Sequence, residues 1–247
     1  MSELIPLIGF TFFVALIYSS VGHGGASGYL ALLAFFALPR EQMAASALCL
    51  NLLVAGLAFW HFFKARHFSW NLIWPFCFSS VPLAFIGGML KVPASVYSSL
   101  LAGALTFAAW RLLFELNLNQ HEIKKNPPRL LSLLVGGLIG MLSGIVGVGG
   151  GIFLSPLLLL FRWADPKKTA AASAFFILVN SLAGLAGRLV RNQFQLTPLL
   201  VYMVLAAFVG GAFGSRLGAN YISAKWLRRI LAVVLLLAVF KLVHAIA

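Results

Sequence analysis

The stretch SGIVGVGGGIFLSPLLLLF, residues 143–161, decides how this chain is read. It is apolar and helix-like, yet Gly147, Gly149, Gly150 and Gly151 crowd together in it, with Pro156 close behind. Adjacent glycines weaken any continuous helix, so a break is expected here. A second stretch, SSVGHGGASGYLALLAFF at 19–36, repeats the pattern: Gly22, Gly24 and Gly25 stand 125 positions before Gly147, Gly149 and Gly150. Two breaks in matching places need a common reason.

Composition sets the surroundings of both. Of the 247 residues, 62% are hydrophobic and only 9% charged, against about 25% charged in a soluble domain. The apolar residues form long runs, and a bilayer core asks about 20 of them from a spanning helix. The chain therefore reads as an all-α polytopic membrane protein. Its first apolar run is not expected to be a cleaved leader, because Glu3 is the only charge before it and no small-residue cleavage site follows. Cys49 and Cys77 lie inside apolar segments and read as small hydrophobes. No metal-ligand spacing such as H-E-x-x-H or C-x-x-C occurs, so neither a metal nor another cofactor is expected. The net charge of +13 raises the question of nucleic acid. Basic cytoplasmic loops explain it in a membrane protein, and no nucleic-acid partner is expected.

Ten apolar segments follow one another: 4–21, 25–38, 43–63, 70–90, 95–116, 130–146, 151–162, 169–187, 196–217 and 226–246. The second and seventh reach only about 20 Å at 1.5 Å per residue, short of the ~30 Å hydrocarbon thickness. Each follows a glycine break and reads as a half-helix, either re-entrant or part of a broken span. The polar stretch 117–129, with its Pro127-Pro128 pair, reads as a linker between a first membrane repeat (1–116) and a second (130–247). Within each repeat come a helix, a glycine break, a half-helix and three further helices. AASAL at 44–48 matches AASAF at 171–175, Asn51 matches Asn180, and FIGG at 85–88 matches FVGG at 208–211.

If each helix and half-helix pair returns the chain to one side, twelve basic residues share a face: Lys64, Arg66, Lys124, Lys125, Arg129, Arg162, Lys167, Lys168, Arg216, Lys225, Arg228 and Arg229. Arg40, Lys91, Arg188, Arg191 and Lys241 fall on the other, with Arg111 within a segment end. The first face is then cytoplasmic. Each half crosses an odd number of times, which makes the two repeats inverted, as in many secondary transporters.

The glycines now have a physical purpose. Backbone broken inside a bilayer is tolerated only where protein or a water-filled cavity satisfies it. Glycine permits the reversal and leaves no side chain between backbone and ligand. The half-helix beyond it points free N–H groups and a positive partial charge at mid-membrane, which suits an anion. A phosphate-binding Walker loop is excluded because no Gly-Lys-Ser/Thr follows. For the glycines of FIGG and FVGG, close helix packing is the preferred reading.

On these residues the chain resembles the TauE/SafE sulfite exporters, also called the TSUP anion transporters. The resemblance rests on GVGGGIFLSPLL (147–158), TAAASAFFILVNSLAG (169–184) and the first copy GHGGASGYLALL (22–33), and it spans essentially the whole chain. The first copy departs from the pattern: His23 stands inside the glycine run, Ala26 replaces the last glycine, and no proline matches Pro156. The resemblance implies a prokaryotic inner-membrane carrier of small sulfur oxyanions or organosulfonates such as sulfite, thiosulfate or sulfoacetate.

The candidate substrate-binding residues are Gly22, His23, Gly24, Gly25, Ser27, Asn51, Gly147, Gly149, Gly150, Gly151, Ser155 and Asn180. His23 could bond an oxyanion or take up a coupling proton; a packing histidine is the alternative. Asn51 and Asn180 could donate to the anion or hold helices together. Ser46 and Ser173 read as close-packing hydroxyls, and Ser19 as bonded to backbone. Arg188 reads as a snorkelling residue near a segment end, with an outer electrostatic funnel as the other reading. All five acids fall at segment ends or in loops, so no carboxylate is available inside the membrane for proton coupling. The six tryptophans lie toward segment ends, as an interfacial belt would. Expected partners are a small anion, the lipid bilayer and a coupling ion such as the proton. The oligomeric state stays open, a homodimer included. An anion channel of the same architecture is the main competitor. An intramembrane enzyme pairing His23 with Ser19, Ser20 or Ser27 would lack a carboxylate to orient the imidazole.

Overall fold

A computed structural model of the chain describes residues 4–20, 22–113, 127–192 and 197–220. Among these the regular structure is entirely helical: α1 (Leu4–Ser20), α2 (Ala26–Phe35), α3 (Arg40–Lys64), α4 (Trp70–Met89), α5 (Ala94–Leu113), α6 (Arg129–Val146), α7 (Gly151–Leu160), α8 (Pro166–Val190) and α9 (Pro198–Asn220). Five of them, α3, α4, α6, α8 and α9, are long and apolar enough to cross a membrane. The tenth predicted segment, most of the linker, Lys241 and Trp226 lie outside the described residues.

Both glycine runs break the backbone as their composition requires. At the end of α1, Gly22 N–H donates to Ser19 O (3.1 Å) and His23 N–H to Tyr18 O (2.9 Å). That double bond pattern demands a left-handed residue between, and Gly22 supplies φ +76°. At the end of α6, Gly147 (φ +90°) donates to Ser143 O at 2.8 Å. The half-helices α2 and α7 then start from left-handed caps, Gly25 (φ +95°) and Gly150 (φ +81°). Each runs 10 residues, about 15 Å. Their far ends also match, for Ala37 and Arg162 both take positive φ inside the same double-bond turn.

The long helices meet through glycine. A Cβ at Gly136, Gly140 or Gly144 of α6 would strike the Phe76, Ser80 or Ala84 carbonyl of α4. The same holds for Gly210 and Gly214 of α9 against the Phe12 and Leu16 carbonyls of α1. Rising numbers on both partners make each pair parallel. The glycines of FIGG and FVGG pack likewise: Gly87 and Gly88 lie against backbone of α6 and α8, and Gly211 against Val54. Such contact replaces the missing hydrophobic drive between helices in lipid with van der Waals packing.

Packing partners interchange between the two halves. As α4 lies on α6, so α9 lies on α1; as α2 lies on α3, so α7 lies on α8. Helices α3 and α8 cross antiparallel, since Leu48 meets Gly184 and Gly56 meets Leu178. The first break rests on α8, Gly22 against Ala170, while the second rests on α3, Gly147 against Ala44.

Candidate functional site

The α3–α8 crossing brings the two breaks to one amide. Asn51 is 1% exposed. Its Oδ1 accepts from Ala26 N–H at 3.2 Å, at the start of α2, and its Nδ2 donates to Ser181 Oγ at 2.9 Å and to Val148 O at 3.5 Å, within the second break. Ala26 N–H can only donate and Val148 O can only accept, so the orientation of the amide is unambiguous. Gly24 and Gly149 press on the same side chain from the two breaks: a Cβ on the first would collide with Oδ1, and on the second with Nδ2. Neither position has room for a side chain.

A second polar cluster joins the halves nearby. Ser155 Oγ donates to Gly151 O at 2.8 Å and lies 3.0 Å from His23 Nε2 and 2.8 Å from Ser173 Oγ. The Gly151 carbonyl can only accept, so Ser155 is the donor in that bond. The first break thus bonds the second half-helix through His23, and α8 joins through Ser173.

Of the remaining candidates, Gly22, Gly25, Gly147, Gly150 and Gly151 line the same two breaks and are buried. Ser27 turns away to the Tyr18 hydroxyl, 2.7 Å distant. Asn180 is also turned away, donating through Nδ2 to Phe176 O of its own helix at 2.8 Å. Its Oδ1 is buried without a partner. Apart from half-buried His23, the described residues of both breaks are buried. The half-helix termini offer first-turn amides that no intrahelical acceptor can serve, the arrangement that binds anions elsewhere. Among the described residues no three His, Cys, Asp or Glu side chains come together to hold a metal.

A family model described as sulfite exporter TauE/SafE matches residues 7–242, nearly the whole of this glycine-broken architecture. The chain belongs to the TauE/SafE family. It is 35% identical over 244 residues to the "Probable membrane transporter protein y4hK" of Sinorhizobium fredii, covering 98% of each chain. A "Probable membrane transporter protein" of Haemophilus influenzae is 27% identical over 171 residues, 64% of each chain. A further relative, "Probable membrane transporter protein MJ0441" of Methanocaldococcus jannaschii, is 29% identical over 111 residues, 42% of this chain and 41% of its own. No solved structure matches the chain significantly. This TauE/SafE protein is a multi-pass membrane transporter of a small molecule, not an enzyme.

Two residues of the TauE/SafE chain carry more than their sequence reading suggested. Ser181, not singled out by sequence, binds Asn51; only its place beside Asn180 could have drawn attention to it. Arg188 does not snorkel. It is 6% exposed, and its Nη2 donates to Gly144 O (3.0 Å) and Ile145 O (2.6 Å). These carbonyls end α6 just before the break, where the helix has no donors left for them and its dipole favours a cation. Tyr97 on α5 donates to the next carbonyl, Val146 O, at 3.4 Å. The predicted segment stopped at residue 187, whereas α8 continues to Val190 and draws Arg188 under α6.

Proposed function

We propose that this TauE/SafE protein is a secondary transporter of a small sulfur oxyanion or organosulfonate, of the sulfite, thiosulfate and sulfoacetate class. The anionic head binds near the midplane between the N-termini of α2 and α7, against Gly22, Gly24, Gly25, Gly147, Gly149, Gly150 and Gly151. His23, Ser27, Asn51, Ser155 and Asn180 complete the site, Asn180 after turning its amide away from Phe176. The observation that carries this reading is the Asn51 bridge, which places a half-helix start and the opposing glycine run on one side chain.

The halves 1–116 and 130–247, joined by the linker 117–129, act as inverted repeats. The antiparallel crossing of α3 and α8 and the interchange of packing partners support this. Rocking of one repeat on the other exposes the site to each face in turn. The basic loops face the cytoplasm of a prokaryotic cell membrane. Without an intramembrane carboxylate in the sequence, a coupling proton would be carried by His23 or by the substrate.

Proteoliposome counterflow with labelled sulfite and thiosulfate tests the reading. A carrier loaded with unlabelled anion accumulates label transiently above its external concentration. Downhill flux alone identifies a channel, and no flux of either anion contradicts the assignment.

A further inference from the structure

Tyr29 is 0% exposed, and its hydroxyl has no hydrogen-bond partner. Buried polar groups are nearly always bonded, because an unsatisfied one loses its water for nothing in return. Phenylalanine would fill the same space without that cost. The hydroxyl needs a reason.

Its position supplies one. Tyr29 is the fourth residue of α2. Helical side chains tilt toward the N-terminus, so the ring runs back along the first turn. A Cβ built on the cap Gly25 would lie 3.0 Å from both Cζ and Oη of Tyr29, so the phenol ends beside the start of the half-helix. There the Ala26 amide is taken by Asn51, leaving Ser27 and Gly28 as first-turn donors with no acceptor inside the helix. Neighbouring Tyr18 is engaged with Ser27 Oγ. The other half-helix has nothing comparable, for a Cβ on its cap Gly150 would meet Ile139 and Phe176.

We propose that the Tyr29 hydroxyl is a hydrogen-bond donor to the transported oxyanion, acting with the Ser27 and Gly28 amides as a cradle on the first half-helix. The inference rests on the anion-carrier reading and adds to it an asymmetry. The first half-site sets a phenol beside its cap glycine, whereas the cap of the second, Gly150, faces Ile139 and Phe176. The unpartnered hydroxyl is then the mark of a ligand that comes and goes.

The test uses the full-length purified chain, wild type and Tyr29→Phe, titrated with sulfite and with thiosulfate in thermal-shift and proteoliposome uptake assays. Without anion, Tyr29→Phe melts at the wild-type temperature or above it. Its half-saturating anion concentration and its uptake KM both rise at least about tenfold, as loss of a hydrogen bond to a charged group implies. Wild-type half-saturation in Tyr29→Phe overturns the inference and leaves the carrier reading standing. A lowered melting temperature with unchanged affinity also overturns it, showing the hydroxyl to be bonded within the fold. A wild-type protein that neither binds nor carries either anion overturns both. Site-specific 3-fluorotyrosine at position 29, a stronger donor of equal shape, is expected to tighten binding, and unchanged or weaker binding speaks against the donor role.

Discussion

Asn51 Nδ2 donates to Ser181 Oγ at 2.9 Å across 130 positions of sequence, tying α3 to α8 beside the two glycine breaks. The other side of the same amide holds the first N–H of α2. One side chain thus fixes how far apart two half-helix ends can stand. Replacing it by Leu leaves a buried amide and a buried hydroxyl without their partner. Asn51→Leu is expected to lose about 2–4 kcal/mol of stability and all transport. A thermal melt within error of wild type would remove the bridge from the account.

Gly150 caps α7 at φ +81°, and a Cβ there would lie 2.8 Å from Ile139 and Phe176. A β-branched residue is strained in that backbone region, at about 1–3 kcal/mol. Gly150→Val should retain a folded fraction by size exclusion yet carry no anion, since its side chain would push the start of α7 away from Ile139 and Phe176 and displace the first-turn amides. Wild-type uptake by a well-folded Gly150→Val protein would contradict the half-helix site.

Arg188 poses a contest between two large terms. Burying its charge is costly, and a neutral residue of similar size would relieve that cost. Against this stand the carbonyls of Gly144 and Ile145, which would be buried at a helix C-terminus with no donor. Two bonds from a charged donor, together with the helix dipole, decide the sign. Arg188→Met should lose about 2–4 kcal/mol, and Arg188→Lys should recover part of it. A rise in melting temperature in Arg188→Met would show desolvation to dominate.

His23 bridges the halves through Ser155. Gln can donate from nearly the same place but does not titrate near neutrality. His23→Gln is expected to keep the fold and flatten the pH dependence of uptake. An unchanged pH profile would limit His23 to hydrogen bonding.

The breaks were legible in sequence because the signal is backbone chemistry. Gly22, Gly25, Gly147, Gly149 and Gly150 all take the positive φ that clustered glycines in an apolar run imply. The half-helices and long helices followed from run length. Side-chain partnerships were less accessible. Pairing Asn51 with Asn180 by residue type puts weight on Asn180, whereas the structure engages Ser181, its neighbour. Adjacent positions on a helix point about 100° apart, so a one-residue difference selects another face. Arg188 was obscured for a related reason: three further residues of α8 turn a headgroup position into a buried one. The Tyr29 hydroxyl gave no sequence signal, because a tyrosine in an apolar helix looks like core until its missing partner is seen.

If the two broken helices face an anion, that anion must raise the stability of the folded protein. The purified protein would be melted with sulfite, thiosulfate, sulfoacetate, taurine, sulfate, phosphate, acetate and chloride in turn. An anion at about 100 times its dissociation constant stabilises the native state by about 2.7 kcal/mol, enough to register. The expected result is a shift with a sulfur oxyanion or organosulfonate that exceeds those with chloride and acetate and disappears in Gly150→Val. Equal melting temperatures across the whole series would contradict it.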